Sequence, residues 1–413
     1  MFQYQRGILH CENRALSEIA HEVGTPFYLY SQTELERRAQ AYLAFSQALT
    51  CFAVKANGNP VLLRLLGSMG IGADVTSGGE LFLALQAGIP ANRIIYSGVG
   101  KREDEIRFAL ETEIYALHVE SEPELAVIAR VAKDLAKQAP VAVRVNPDIQ
   151  AETHPYDSTG RLEHKFGVPR DIAMAILRRS AEDPQLRPIG VAAHIGSQIT
   201  KTAPYDHLAI FLVDLANEAK TLGIDLTYLD VGGGLGINYS DNDVPTIEEW
   251  VKTVAKPVSD AGYQTVMEPG RSIVGPAGVL VTRVLYTKAQ GGNNFVIVDA
   301  GMNDLIRPAM YKAVHPLRPV LRHAERERPT VVVDVVGPVC ESGDFLARNY
   351  PLQEVHDGEL LAVMQAGAYG FAMGSNYNGR LRPAEVLVQG DHVQIIRRRQ
   401  NYDHLLDGVD HNP

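Results

Sequence analysis

The sequence predicts an α/β fold in two parts, a (β/α)8 TIM barrel and a second, mostly β domain of sandwich or barrel type. Three observations carry this. The chain has 413 residues, enough for a barrel of roughly 250 residues and a smaller partner. From about residue 26 to 270 one rhythm repeats: a short β-branched or aromatic run, a Gly/Asn/Ser break, then apolar residues at helical spacing. Beyond Gly270 the rhythm gives way to alternating strand-like runs separated by Gly, Asn and Asp turns.

After the opening run "PFYLYS", eight strand candidates follow: "CFAVKAN", "IGADVTS", "RIIYSG", "IYALHVE", "VAVRVNP", "GVAAHIGS", "LTYLDVGGG" and "QTVMEPG". Eight parallel strands alternating with helices close into a barrel. The second domain reads from "GVLVTRVLYTKAQ", "NFVIVDAG", "PTVVVDVVGP", "GELLAVMQ" and "AEVLVQGDHVQIIRRR", with "RPAMYKAV" as a short helix. The boundaries expected are 26–275 for the barrel and 1–25 plus 276–413 for the β domain. The strand-like "GILHCEN" near the start joins the latter, because chain termini often lie close together.

Composition narrows the function classes. Hydrophobic residues at 46% and charged residues at 21% describe an ordinary globular chain, and no run of 18 apolar residues offers a membrane span. A formal charge of -10 with only short Lys/Arg clusters speaks against a nucleic-acid partner. The first residues lack a basic segment followed by an apolar core, so a cytoplasmic protein is expected. Cys11, Cys51 and Cys340 are odd in number and have no CxxC spacing, which argues against a disulfide framework or a zinc site; no metal is expected.

Polar residues recur at the same end of the strand candidates: Lys55, Asp74 with Ser77, Ser97, Glu120, Asn146, His194 with Ser197, Asp230 and Glu268. In a barrel this is the mouth at which catalytic groups gather. Taken singly each has a plain alternative. Lys55 is a solvated charge, an ion-pair partner, or an amine poised for covalent chemistry. Gly232, Gly233, Gly234 and Gly236 turn a corner or bring backbone N–H groups to an anion; their spacing is not GxGxxG, and "SGVGKRE" is not a Walker A loop. Glu268 pairs with Arg271 or holds a proton on a heteroaromatic nitrogen. His194 is a satisfied core histidine or a flat partner for a planar ring, and by residue type alone Cys340 reads as a buried small hydrophobe and Arg307 as a surface ion pair.

Lysine, anion loop and carboxylate together are what pyridoxal 5'-phosphate requires. The chain resembles the fold type III (alanine racemase-like) pyridoxal-phosphate decarboxylases, and within them the diaminopimelate decarboxylases. The resemblance runs through "AVKANGNP", "GADVTSGGEL", "SGVGK", "VRVNPD", "THPYDSTG", "HKFG", "HIGSQ", "DVGGGLG", "EPGRSIV", "NDLIRPAMY", "GPVCESGD", "AGAYGFAMGSNYN" and "RRRQNYDHLL".

It implies the following roles. Lys55 would form the covalent link to the cofactor, with Asp74 among the cofactor-binding residues and His194 stacking on the ring. Ser197, Gly234, the turn Glu268, Pro269, Gly270 and Arg271, and Tyr369 would hold the phosphate, Glu268 facing the pyridine nitrogen. Cys340 would reach the site of the other subunit of a homodimer as proton donor, and the adjoining Glu341 would contact the distal amino group. Arg271, Arg307, Tyr311 and Tyr369 would bind substrate, two guanidinium groups suiting a distal carboxylate. The reaction implied is meso-2,6-diaminopimelate to L-lysine plus carbon dioxide, at the D-configured centre. A relative acting on ornithine, arginine or carboxynorspermidine, and a non-catalytic regulator on the same scaffold, are the competing expectations.

Overall fold

The computed structural model of the chain describes residues 1–149, 165–239, 243–324 and 326–410. The motif "THPYDSTG" and the first residue of "HKFG" lie outside them. The chain divides into two compact units, Met1–Arg37 with Asn238–Asn242 and Ile273–Pro413, and Arg38–Ile237 with Asp243–Ser272.

The second of these is the barrel. Its eight strands are Leu49–Ala53, Gly72–Val75, Ile94–Tyr96, Ala116–Val119, Ala139–Arg144, Leu186–Ala192, Tyr228–Asp230 and Gln264–Met267. They pair in parallel and close, the last hydrogen-bonding to the first. All eight expected runs are therefore barrel strands, and each gap between successive strands holds a helix. Local chemistry sets the helix starts: Asn59, Ser77 and Ser121 each accept a backbone N–H from the first turn of the helix they precede, supplying a partner that a helix end otherwise lacks. Leu49, Cys51, Ile95, Ala116, Ala142, Ile189, Tyr228 and Val266 form a buried cluster, as expected of a barrel whose interior is packed core.

The other unit is mostly β. Its larger sheet runs, in order of neighbours, Phe345–Gln353, Thr330–Val336, Asn293–Val298, Gly278–Gln290, Phe27–Ser31, Ala384–Gln389 and His392–Arg397, with Leu360–Val363 and Leu317–Pro319 joined at the side of the long Gly278–Gln290 strand. The run Phe27–Ser31, placed by its sequence position at the head of the barrel segment, is a fully buried strand of this sheet. The first residues add a three-stranded sheet, Phe2–Gln5, Ile8–Cys11 and Arg14–Ala15. One core, including Leu9, Leu16, Phe27, Val279, Val281 and Val386, joins the two sheets of this unit. No helix among the described residues is long and apolar enough to cross a membrane.

Glycine has a steric role in the barrel wall. A Cβ on Gly72 would lie 2.1 Å from the carbonyl oxygen of Arg93, a backbone atom. Gly72→Ala therefore forces two strands apart and is expected to lower stability by about 1–3 kcal/mol. A thermal midpoint unchanged from wild type would contradict this packing.

Candidate active site

The strand Leu49–Ala53 runs into a single 3-10 turn, Val54–Ala56, which carries Lys55. The following "NGNP" stops that turn and starts the next helix. Asn57 Oδ1 accepts the Asn59 N–H at 3.0 Å, Asn59 Oδ1 accepts the Val61 N–H at 3.0 Å, and Pro60 takes a first-turn position where its missing N–H costs nothing. Lys55 Nζ lies 2.7 Å from Oδ2 of Asp74, on the neighbouring strand. The Lys55 side chain remains 37% accessible whereas that of Asp74 is 0% accessible. Burial alone raises a carboxyl pKa, but the ammonium overrides it and holds Asp74 below the ordinary value, so Asp74 carries its charge.

Three loops close around this pair. Ala53 N–H donates to Pro269 O at 3.0 Å, and a Cβ on Gly270 would meet the Ala56 Cβ at 2.9 Å, so the Glu268–Arg271 turn lies against the Lys55 segment. Glu268 N–H donates to Gly232 O at 2.8 Å, and a Cβ on Gly233 would lie 2.1 Å from Glu268 O. Gly234, at φ +94, would place a Cβ 2.0 Å from Gly196 O. The glycine run is thus threaded between "HIGSQ" and "EPG", where only a residue without Cβ fits. His194 Nδ1 accepts the Gly233 N–H at 3.1 Å, and its surroundings, burial first and then Arg144 and Lys55, push its pKa down to about 3, so the ring is neutral. Arg271 Nη2 donates to Ser197 Oγ at 2.8 Å.

Glu268 and Asp230 end neighbouring strands and are both buried. Ser97 Oγ donates to Glu268 Oε1 at 3.3 Å, and Asp230 Oδ1 accepts the Gly232 N–H at 2.7 Å. Burial, then the nearby Asp230 and Asp74, push Glu268 well above the ordinary carboxyl range. Burial, with Asp74 adding to it, pushes Asp230 up to about 7. Beside them His118 is wedged between strands, Nε2 3.1 Å from the Tyr228 hydroxyl and Nδ1 3.2 Å from Ser97 Oγ.

The remaining polar residues at the mouth are structural. Ser77 caps a helix. Glu120 accepts from Arg144 Nη1 at 2.9 Å and from the N–H groups of Gly98 and Gly167 at 3.0 Å, and Asn146 fastens the start of the next loop through the Asp148 N–H.

In the β unit a second group of expected site residues comes together. Arg307 is buried at the start of the short helix Arg307–Tyr311, its guanidinium 5.5 Å from the Tyr311 ring, 5.9 Å from Tyr369 and 5.7 Å from Tyr239. Its Nε donates to His315 Nε2 at 3.4 Å, while His315 Nδ1 donates to Met364 O at 3.0 Å. Arg307 is therefore not a surface ion-pair residue. Tyr369 adopts φ +56, a left-handed conformation uncommon for a bulky side chain and frequent at functional positions.

Cys340 and Glu341 sit in the loop between the strands Thr330–Val336 and Phe345–Gln353. The Asp344 carboxylate grips this loop through the Val339 N–H at 2.6 Å and ties it to Met302 N–H at 2.6 Å. Cys340 is exposed, which corrects the reading of it as a small core hydrophobe, and Glu341 accepts the Tyr377 hydroxyl at 2.5 Å. Tyr239, His315, His118 and Tyr228 were not singled out from sequence. Residue type and position alone give these side chains no role, and Tyr239, His118 and Tyr228 meet partners remote in the chain.

The barrel mouth offers an amine on Lys55, a carboxyl on Glu268 that burial and its acidic neighbours push well above the ordinary range, the flat ring of His194, and N–H groups of Gly234 and Gly270 that donate to no acceptor among the described residues. This donor set fits pyridoxal phosphate: carbonyl capture, a ring-nitrogen partner and an anion cradle. Residues 32–275 match the family described as "Pyridoxal-dependent decarboxylase, pyridoxal binding domain". Diaminopimelate decarboxylase of Aquifex aeolicus is 47% identical over 98% of this chain and 96% of its own length, and that of Pseudomonas aeruginosa 46% identical over 98% of each. A crystal structure of diaminopimelate decarboxylase from Helicobacter pylori complexed with L-lysine superposes with a TM-score of 0.91 at 38% identity, covering 95% of this chain and 98% of that one.

The Lys55–Asp74 pair makes a signed pH prediction. In the wild type the lowered Asp74 value gives stability that is present above the ordinary carboxylate pKa and lost as pH falls through the folded value. In Lys55→Met, burial acts on Asp74 without the ammonium and raises it, so stability is lost as pH rises. The variant apoprotein is expected to melt below the wild type at neutral pH, with the gap closing on acidification toward about pH 4. A gap independent of pH would show that Asp74 does not depend on Lys55.

Proposed function

The chain belongs to the pyridoxal-dependent decarboxylases, in the diaminopimelate decarboxylase family, and on that premise we propose that it converts meso-2,6-diaminopimelate to L-lysine and carbon dioxide, the last step of lysine biosynthesis. The observation that carries the reading is Lys55, held by a buried carboxylate at a barrel mouth that also contains Glu268 and a glycine cradle. The lysine complex of the Helicobacter pylori relative supports the product.

When bound, pyridoxal phosphate supplies a carbonyl that captures an amino group and a ring that takes up the electron pair left as carbon dioxide departs. Lys55 Nζ anchors the cofactor carbon, and Asp74 keeps the amine oriented. His194 offers a neutral ring. Ser197, Gly234, Pro269, Gly270, Arg271 and Tyr369 hold the phosphate, and Glu268 holds a proton at the ring nitrogen. Three tyrosine rings stand 5.5–5.9 Å from the Arg307 guanidinium, whose planar fork suits a bidentate grip on the distal carboxylate, aided by Tyr311, Tyr369 and Arg271. Glu341 takes the distal amino group, and Cys340 Sγ delivers the proton to the substrate Cα. The working unit in this reading is a homodimer in which Cys340 and Glu341 of one protomer serve the Lys55 site of the other. Its setting is the cytoplasm, in keeping with three cysteines that form no disulfide.

With added pyridoxal phosphate, the wild type is expected to release carbon dioxide from meso-diaminopimelate and not from ornithine; release from ornithine alone overturns the substrate. Arg307→Lys keeps the charge and loses the fork. It is expected to raise KM by about ten- to a hundredfold with the cofactor absorption band unchanged, as for loss of one charge-assisted hydrogen bond. An unchanged KM removes Arg307 from substrate recognition. Mixing Lys55→Met with Cys340→Ala chains is expected to restore activity that neither has alone. No recovery in verified mixed dimers contradicts the shared site.

A further inference from the structure

We propose that Asp230 is a positioning residue of this site: it and Glu268 form one buried, proton-sharing carboxyl pair, from which the ring nitrogen of the cofactor receives its proton without drawing it from solvent. The proposal rests on the pyridoxal-phosphate reading above.

Three carboxyls, Asp74, Asp230 and Glu268, meet at the ends of barrel strands, all of them buried. Asp74 is answered by Lys55 at 2.7 Å. Among the described residues the other two have no such ion-pair partner in contact. Asp230 Oδ1 accepts the Gly232 N–H, whereas its Oδ2, fully buried, accepts no hydrogen bond among the described residues. A carboxyl oxygen of each and a nitrogen of His118 lie within 4.8 Å of one another.

The surrounding groups keep a proton on the pair. His118 faces Asp230 through Nε2 at 3.8 Å and Glu268 through Nδ1 at 3.9 Å. Its own value is pushed down to about 3, chiefly by burial, so it contributes no cation. Its two nitrogens thus address different carboxyls of the pair. Ser97 donates to Glu268, and Tyr228 meets His118 on its other side. The Cys51 thiol is buried nearby, and the same three carboxyls raise its pKa after burial itself, leaving it neutral. The cations that act on the cluster are Lys55 and Arg144, with Lys101 acting on His118. Lys55 is bonded to Asp74 and Arg144 to Glu120, so their charges are already matched. Two carboxylates confined together out of water do not both ionise; the proton between them belongs to the pair.

This pairing answers a difficulty of the site. A lone buried Glu268 facing a ring nitrogen must choose between keeping its proton and staying charged to hold a pyridinium. The pair resolves this with its one shared proton. That proton passes to the ring nitrogen, leaving both carboxyls charged beside a cationic ring, so the net charge of the cluster is unchanged and no proton is drawn from solvent. Asp230 thereby sets the state of Glu268 without touching the cofactor.

The test uses the full-length apoprotein reconstituted with pyridoxal phosphate, and reads protons as well as turnover. Calorimetric titration with the cofactor at neutral pH, in two buffers of different ionisation heat, counts protons taken up per site. Asp230→Asn can donate to Glu268 and favours its charged form, so the variant is expected to take up more protons than wild type, by up to about one per site. An equal count in wild type and variant overturns the proposal. For the case in which Asp230→Asn does not fold, the wild type alone is decisive: its infrared difference spectrum on cofactor binding is expected to lose a protonated-carboxyl band, and no such loss overturns the proposal. Failure of the wild type to bind pyridoxal phosphate at all would instead defeat the underlying functional reading.

Discussion

The structure of the barrel mouth follows from one requirement, that the buried carboxylate of Asp74 be met by a positive charge. Taking a carboxylate out of water costs several kcal/mol unless a well-placed partner offsets it. Asp74 sits in register with Ala53 on the adjacent strand, so the partner has to come from just beyond that strand end. The single turn Val54–Ala56 places Lys55 there, and the Asn57–Pro60 segment stops the turn before the lysine is carried away. The close approach of Gly270 to Ala53 and Ala56 then fixes where the Glu268 turn lies. An amine held in this way stays partly accessible and points where a carbonyl compound can reach it.

The same economy of charge governs the rest. With Asp74 already matched, Asp230 and Glu268 are too deeply buried and too close to ionise together, and both imidazoles at the mouth remain neutral. In the β unit a different solution holds a buried cation: three tyrosine faces and the lone pair of a neutral His315 surround Arg307. Cation–π contacts orient a guanidinium without the geometric demand of an ion pair.

Much of this was legible in the sequence because it is local. The eight barrel strands announce themselves as short apolar runs closed by Gly, Asn or Ser, and the residue just before each break marks the mouth. The position of Phe27–Ser31 was not legible, since a strand's run does not say which sheet it joins; its partners, Gly278–Val281 and Ala384–Val388, are hundreds of residues away. His118 was invisible for the same reason. It sits in an apolar run, and its meaning comes from Tyr228 and Asp230 on a strand more than a hundred residues later. Tyr239 becomes informative only once folding brings it to Arg307. Glu120 and Asn146 were visible as strand-end polar residues, but composition does not distinguish a side chain that fastens loops from one that faces a ligand.

The central claim is that Lys55, and no other amine, forms the bond to the cofactor. Reduction of the pyridoxal-phosphate-loaded protein with borohydride, followed by peptide mass mapping, tests it directly. A single stoichiometric label is expected on the peptide containing Lys55. A label confined to any other lysine, or none in a protein shown to carry the cofactor, would contradict it.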